Sequence, residues 1–75
     1  MGVVNTPADN IRVRLGRKVK QLREARGWSQ EDLAARARLH RNQIGYIEQG
    51  QRNIGIETVD RLATAFDVSP GELFG

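Results

Sequence analysis

A chain of 75 residues forms one domain at most, and this length argues against an enzyme with a large buried cleft. The chain has no cysteine, which excludes disulfides and thiolate metal sites. It also has no signal peptide and no apolar run of about 18 residues, so we expect a cytoplasmic protein without membrane contact. The net charge of +3, with ten arginines among twelve basic residues, is compatible with a polyanionic ligand.

The first predicted helix covers residues 7–26. Its start is indicated by Thr6 as a hydroxyl N-cap, by Pro7 at the first helical position and by Asp9 three residues after the cap. Gly27 fits the left-handed residue that ends a helix. Apolar residues recur between these ends at helical spacing, at Ile11, Leu15, Val19 and Leu22.

Four further helices follow, and capping residues mark their ends. Ser29 precedes the second helix as an N-cap, with Asp32 three residues later. Gly50 ends the third helix, and Ser69 with Pro70 opens a short fifth one. Since no strand pattern occurs, the predicted fold is all-α with five helices. The later helices are predicted at residues 30–37, 41–49, 56–66 and a single turn ending at 73–74, in one domain at residues 7–75 that follows a loose segment at residues 1–6.

The second and third helices, joined by a turn at residues 38–40, form the pattern of a helix-turn-helix. Ala34 is small enough for the two helices to touch, and the apolar residues around it fill the angle between them. The outward face of the third helix is then free for a DNA major groove, which admits one helix. The face is polar, which favours DNA binding over a plain helical hairpin. Its residues are Arg41, Asn42, Gly45 and Tyr46, with Gln43 at the flank.

Charge is distributed unevenly along the chain. Residues 1–54 carry eleven basic and five acidic side chains, whereas residues 55–75 carry Arg61 against four acidic ones. A basic front and an acidic rear fit a polyanion bound on one side. A solvated, charged helix face explains the same charges, so charge alone leaves both interpretations open.

Several motifs resemble the phage-repressor and Cro-type (Xre-like) helix-turn-helix family. They are WSQEDLA at residues 28–34, IGYIEQG at residues 44–50 and ATAFDVSP at residues 63–70. Within this family, His40-Arg41 and the later Arg52-Asn53-Ile54 are most similar to controller proteins of restriction–modification systems. The resemblance implies a five-helix, lambda-repressor-like domain that forms a homodimer and regulates transcription at a pseudo-palindromic operator in double-stranded DNA.

The resemblance also assigns DNA-contacting roles to matching positions. Gln30, at the first position of the second helix, corresponds to the phosphate clamp of the family. His40 is expected to cap the third helix or to lie beside a phosphate. Base contacts are expected from Arg41, Asn42, Gln43 and Tyr46, and backbone contacts from Gln30, Arg38, His40, Arg52 and Asn53.

Arg38 departs from the family, which usually has glycine at the first turn position because that residue takes a positive φ. A residue other than glycine costs on the order of 1 kcal/mol there. A contact between the Arg38 guanidinium and a phosphate can offset the loss, or the side chain can point into water. Both alternatives stay open.

A second copy of the chain is expected as a partner besides DNA, and RNA polymerase is one of two interpretations of Glu31. Glu31 is explained by the dipole of the second helix, and alternatively by a contact with RNA polymerase, as in activating members of the family. The C-terminal part holds more apolar residues than three helices can cover, which predicts a dimer interface. For Leu73 and Phe74 the alternative is that they cap the core of the monomer. The predicted interface consists of Ile56, Val59, Val68, Leu73 and Phe74.

No catalytic constellation is present in the sequence. His40 is the single histidine, and Ser29 has no histidine partner at a recognisable spacing. We therefore expect no enzyme, no metal and no cofactor.

An antitoxin-type, protein-binding module that also binds its own promoter is the alternative function. Trp28 is expected to pack between the first and second helices.

Overall fold

The computed structural model describes residues 10–75, which form four α-helices and a short 3-10 helix, with no strand among them. The predicted all-α fold is confirmed for these residues. The predicted fifth helix is a 3-10 helix of four residues rather than an α-helix. The elements are α1 (Ile11–Ala25), α2 (Gln30–Ala37), α3 (Arg41–Glu48), α4 (Ile56–Phe66) and the 3-10 helix (Pro70–Leu73).

Helix α1 begins later than the sequence pattern predicts. It starts at Ile11, and Asn10 caps it, because the backbone N–H of Arg12 donates to Asn10 Oδ1 at 2.8 Å. This contact satisfies one of the free donors at the helix start. The predicted cap at Thr6 and the predicted loose segment at residues 1–6 lie outside the described residues.

Helices α1 and α2 are both followed by a residue with a positive φ. Gly27 has a φ of 70°, and its N–H donates to the carbonyl of Glu24, so the predicted stop is confirmed. Arg38 follows α2 with φ 57° and ψ 44°. The N–H of Leu39 then donates to the carbonyl of Ala34 at 2.9 Å. The left-handed backbone expected at Arg38 is therefore confirmed.

Helices α2 and α4 have the predicted bounds, and α3 ends at Glu48, one residue earlier than predicted. The start of α2 is a capping box. Ser29 Oγ accepts from the N–H of Asp32 at 3.0 Å, and Asp32 Oδ2 accepts from the N–H of Ser29 at 2.8 Å. Because both contacts are local, they could be predicted from the two residue types and their spacing.

Helix α1 approaches α3 closely at Gly16. A Cβ atom at this position would lie 2.8 Å from the carbonyl oxygen of Glu48 and closer still to that of Ile47. Both opposing atoms belong to backbone, so they cannot move aside as a flexible side chain can. A residue without Cβ is therefore needed where α1 supports the end of α3.

All the helices contribute to one apolar core, and the 3-10 helix closes it. Leu73 has no exposed surface, so it caps the core of the monomer. Of the two roles considered for Leu73, capping of the core matches this burial, and its place near a dimer interface stays a prediction. The largest fully buried side chains are Val19, Leu33, Ile44, Leu62, Phe66 and Leu73.

Trp28 packs against α4 rather than only between α1 and α2 as predicted. Its ring stacks on that of Phe66, with 5.7 Å between ring centroids and 8° between ring planes. The Arg36 guanidinium lies 4.2 Å from the centroid of the Trp28 ring. Helical spacing within the first two helices could not show this contact, because Phe66 is distant in sequence.

Candidate nucleic-acid interface

The start of α3 is fixed by a local capping box. His40 is the N-cap, and its Nδ1 accepts from the N–H of Asn42 at 3.1 Å. In return, Gln43 Oε1 accepts from the N–H of His40 at 2.8 Å. The expected capping role of His40 is confirmed. Gln43 was predicted to contact bases, and in the structure its amide oxygen is occupied by this cap.

A shallow cleft of about 310 Å³ lies between the start of α2 and the outer face of α3. It brings together three residues predicted to contact bases with the predicted phosphate clamp, Gln30. Gln49 also belongs to this cleft, although it is not among the residues predicted to contact DNA. Its signal is its position three residues after Tyr46, on the same helix face. The cleft is lined by Gln30, Arg41, Asn42, Gly45, Tyr46 and Gln49.

Beside this cleft, Arg52 in the loop after α3 contacts the outer face of α3. Its guanidinium lies 4.1 Å from the centroid of the Tyr46 ring, which is a cation–π distance. Asn53 and Gln43 line a neighbouring depression with these two residues. The structure therefore clusters predicted base-contacting and backbone-contacting residues on one side of α3.

Arg41 is paired with an acidic residue of α2. Its Nε lies 3.3 Å from Glu31 Oε2, and both side chains are more than half exposed. Glu31 stands in the first turn of α2, where the helix dipole favours a negative charge. The sequence patterns indicate unrelated roles for these two residues, and the structure places them in contact.

Behind the cleft, Arg23 of α1 holds the far end of α3 through Glu48. Arg23 Nε donates to Glu48 Oε2 at 2.6 Å and Nη1 donates to the carbonyl of Trp28 at 2.7 Å. The side-chain hydrogen bond to Glu48 raises the pKa of Arg23. Glu48 Oε1 also accepts from Gln30 Nε2 at 3.1 Å, so the predicted phosphate clamp is anchored by the same carboxylate.

Arg38 lies apart from this cluster. It lines a different cleft, between the end of α2 and α4, together with Asp60 and Arg61. Its carbonyl accepts from Arg61 Nη1 at 2.9 Å. Its side chain is exposed, so contact with a phosphate and orientation into water both remain available to it.

The described residues contain no cluster of His, Cys, Asp or Glu that could hold a metal ion. Across residues 10–75, none of the helices is both long and apolar enough to cross a membrane. Every buried side-chain nitrogen or oxygen in this part of the chain has a hydrogen-bond partner. The polar groups without such partners are therefore exposed, as on the outer face of α3.

Residues 19–73 match the helix-turn-helix family. The chain belongs to this family. It is 39% identical over 66 residues to control protein C.BamHI of Bacillus amyloliquefaciens, covering 87% of this chain and 82% of that protein. The resemblance stated from the motifs is therefore confirmed, including the similarity to restriction–modification control proteins.

Solved structures agree with this assignment. The restriction-modification controller protein C.AhdI from Aeromonas hydrophila has a TM-score of 0.81 and 44% sequence identity, over 84% of this chain and 96% of that one. The hypothetical transcription factor NHTF from Neisseria has a TM-score of 0.86 and 25% identity, over 100% of this chain and 86% of that one. The arrangement of α2 and α3 is thus that of helix-turn-helix regulators.

Proposed function

We propose that this protein is a transcriptional regulator of the restriction–modification controller type, which binds a pseudo-palindromic operator as a homodimer through α3. The observation that carries the proposal is the cleft that joins Gln30 to Arg41, Asn42 and Tyr46. One helix face there offers side chains for base edges, and the adjacent helix start offers a side chain for a phosphate. Relatives of this chain are named as control proteins of the same kind.

Within this proposal, the residues divide into base contacts and backbone contacts. Arg41 presents a guanidinium suited to the O6 and N7 atoms of guanine, and Asn42 presents an amide suited to adenine. Tyr46, with Arg52 stacked on its ring, lies where α3 meets the loop that follows it. Gln30 positions the protein on a phosphate. The remaining backbone contacts proposed are those of Arg38, His40, Arg52 and Asn53, with Gln43 as a further base contact.

A second copy of the chain is the proposed partner of α4. Ile56 is 88% exposed in the monomer, although Leu62, Ala63 and Phe66 of the same helix are buried. Val59, Val68 and Phe74 are only partly buried against the core. A two-fold dimer through this surface would place two α3 helices one turn of DNA apart, about 34 Å.

The proposed regulator acts on DNA in the cytoplasm, and a polymerase contact by Glu31 would make it an activator.

The test is selection of duplexes from a randomised library by the full-length protein, followed by titration of one enriched duplex at several salt concentrations. Because phosphate contacts release counterions, the slope of log affinity against log salt should exceed a magnitude of about 4 for the dimer. The absence of any enriched duplex, or a slope near zero, would contradict the proposal.

Two variants then separate base contacts from positioning. Arg41→Ala should cost about 1–3 kcal/mol per half-site and relax the base preference at one position. Gln30→Ala should weaken binding to all duplexes alike, because a phosphate contact carries no sequence information. An Arg41→Ala variant with unchanged base preference would contradict the assignment of α3.

A further inference from the structure

The contact between Glu31 and Arg41 joins the second residue of α2 to the first residue of α3. Glu31 Oε2 lies 3.3 Å from Arg41 Nε. Both backbones are anchored at this point, because α2 begins with the Ser29 capping box and α3 with the His40 capping box. The remaining freedom is in the two side chains, and the ion pair restricts it.

The geometry of the pair leaves part of the guanidinium available. Glu31 Oε2 contacts Arg41 at Nε, and neither terminal nitrogen of Arg41 donates a hydrogen bond within residues 10–75. These two nitrogens are therefore the donors left for a second acceptor. A guanidinium is planar and presents its donors in a fixed fork, which suits the two acceptors of guanine. A carboxylate at Nε therefore orients the guanidinium of Arg41 and leaves its terminal nitrogens available for guanine.

Glu31 also acts on competing contacts of Arg41. An arginine at the start of an exposed helix can bind a phosphate of any duplex, which raises affinity without specificity. The Glu31 carboxylate weakens such phosphate binding, because it neutralises part of the charge on the guanidinium and repels the phosphate. A guanine edge carries no full charge and is opposed less.

We propose that Glu31 is a positioning residue that makes DNA binding by Arg41 selective for guanine. The inference rests on the proposed function, since it assigns Glu31 a role in the discrimination made by Arg41. It also separates Glu31 from a role limited to RNA polymerase. The polymerase role needs no contact with Arg41, whereas selectivity depends on it.

The experiment compares Glu31→Gln with the parent chain on two probes, the duplex enriched by the parent chain and sheared genomic DNA without the enriched sequence. Glu31→Gln keeps the side-chain shape and removes the charge. The ratio of affinities for the two probes is expected to fall about 3- to 10-fold, because discrimination at the guanine falls and binding to genomic DNA rises. Asp67→Asn is the matched control, since it removes one negative charge from an exposed turn after α4.

A double-mutant cycle with Arg41→Ala identifies the route of the effect. If Glu31 acts through Arg41, Glu31→Gln should leave the affinity ratio unchanged in the Arg41→Ala background. The inference is overturned if Glu31→Gln retains the parent ratio, or if its effect persists without Arg41. A retained ratio together with lost transcriptional activation would assign Glu31 to polymerase alone.

Failure of the proposed function gives a different result. In that case the parent chain enriches no duplex, and both the function and the inference fall. An enriched duplex whose affinity ratio responds to Arg41→Ala and not to Glu31→Gln keeps the function and removes the inference.

Glu31→Asp, which keeps the charge on a shorter side chain, should retain more of the affinity ratio than Glu31→Gln.

Discussion

Arg23 and Glu48 form a bidentate, nearly buried ion pair that joins the last turn of α1 to the C-terminal end of α3. Arg23 Nε lies 2.6 Å from Glu48 Oε2, and Nη2 lies 3.1 Å from Oε1. The exposed fractions of the two side chains are 12% and 5%. Removing one partner of such a pair leaves the other charge without compensation in a site that water hardly reaches.

Glu48→Ala is therefore expected to lower the free energy of unfolding by about 3–5 kcal/mol, as urea unfolding at a fixed protein concentration would measure. The matched control is Glu24→Ala. Glu24 lies 4.0 Å from the same arginine but is 59% exposed, and its loss should cost no more than about 1 kcal/mol. Equal losses in the two variants would show that burial of the Glu48 contact contributes nothing to stability.

Gly16 and Gly45 give opposite predictions for the same substitution. At Gly16 an added Cβ would meet the backbone of α3, whereas at Gly45, on the exposed face of α3, nothing lies within 4 Å of it. Gly16→Ala should destabilise the fold by about 1–3 kcal/mol through overpacking. Gly45→Ala should stabilise it by about 0.5–1 kcal/mol through helix propensity. Thermal unfolding of the two variants checks the signs, and a stabilised Gly16→Ala would contradict the close approach.

Arg38→Gly is expected to raise stability, since glycine adopts the φ of 57° found there without a steric penalty. The expected gain is about 1 kcal/mol. The same variant decides between the two orientations of the side chain. A fall in affinity for every duplex alike would place the guanidinium on a phosphate, and unchanged affinity would place it in water. A loss of stability would contradict the strain assigned to this turn.

Ile56→Glu tests the proposed dimer surface. Because Ile56 is 88% exposed in the monomer, the substitution should leave monomer packing intact and shift sedimentation toward the monomer. Ile11→Glu is the control, as Ile11 is the other large exposed hydrophobic residue of the described chain, at 57%. A dimer that survives Ile56→Glu and dissociates with Ile11→Glu would move the interface to α1.

Truncation after Ser69 cannot test the proposed dimer surface. It would remove Leu73, which has no exposed surface and completes the core. Loss of dimer in a truncated chain could then follow from loss of the fold itself. A surface substitution on α4 separates the two effects, because it leaves the core side chains in place.

Asp32 predicts how stability changes in acid. The backbone N–H of Ser29, and then its hydroxyl, hold the pKa of Asp32 below its usual value. Since the folded pKa is lower than the unfolded one, the carboxylate stabilises the fold above about pH 4, and this contribution is lost as pH falls through the folded pKa. The stability difference between the parent chain and Asp32→Asn should therefore shrink in acid. A difference that stays constant from about pH 7 to pH 2 would contradict this linkage.

The elements that the sequence predicted correctly are those specified by neighbouring residues. The start of α2 follows from Ser29 and Asp32, which are three residues apart and bond to each other. The start of α1 was placed too early, because Thr6 and Asn10 are both suitable caps and local rules do not choose between them. The predicted face of α3 is assembled largely as expected, since helical spacing alone determines which of its residues lie together.

What the sequence could not predict depends on contacts between distant residues. Arg23 and Glu48 each resemble an ordinary charged surface residue until the chain brings α1 beside α3. Gly16 stands inside a regular helix, and nothing in its neighbours indicates that another backbone will lie against it. The pairing of Arg41 with Glu31 belongs to the same class, because it depends on the angle between α2 and α3.

Helix α3 is fixed to the rest of the domain by its buried Ile44 and Ile47 side chains and by the Arg23–Glu48 pair at its end. It therefore cannot tilt independently of the domain to fit a duplex. In the proposed dimer the spacing of the two α3 helices is set by protein alone, so any mismatch with the half-sites must be met by bending or twisting of the DNA. Base pairs between the half-sites, which no side chain touches, would then influence affinity through the flexibility of their pyrimidine–purine steps.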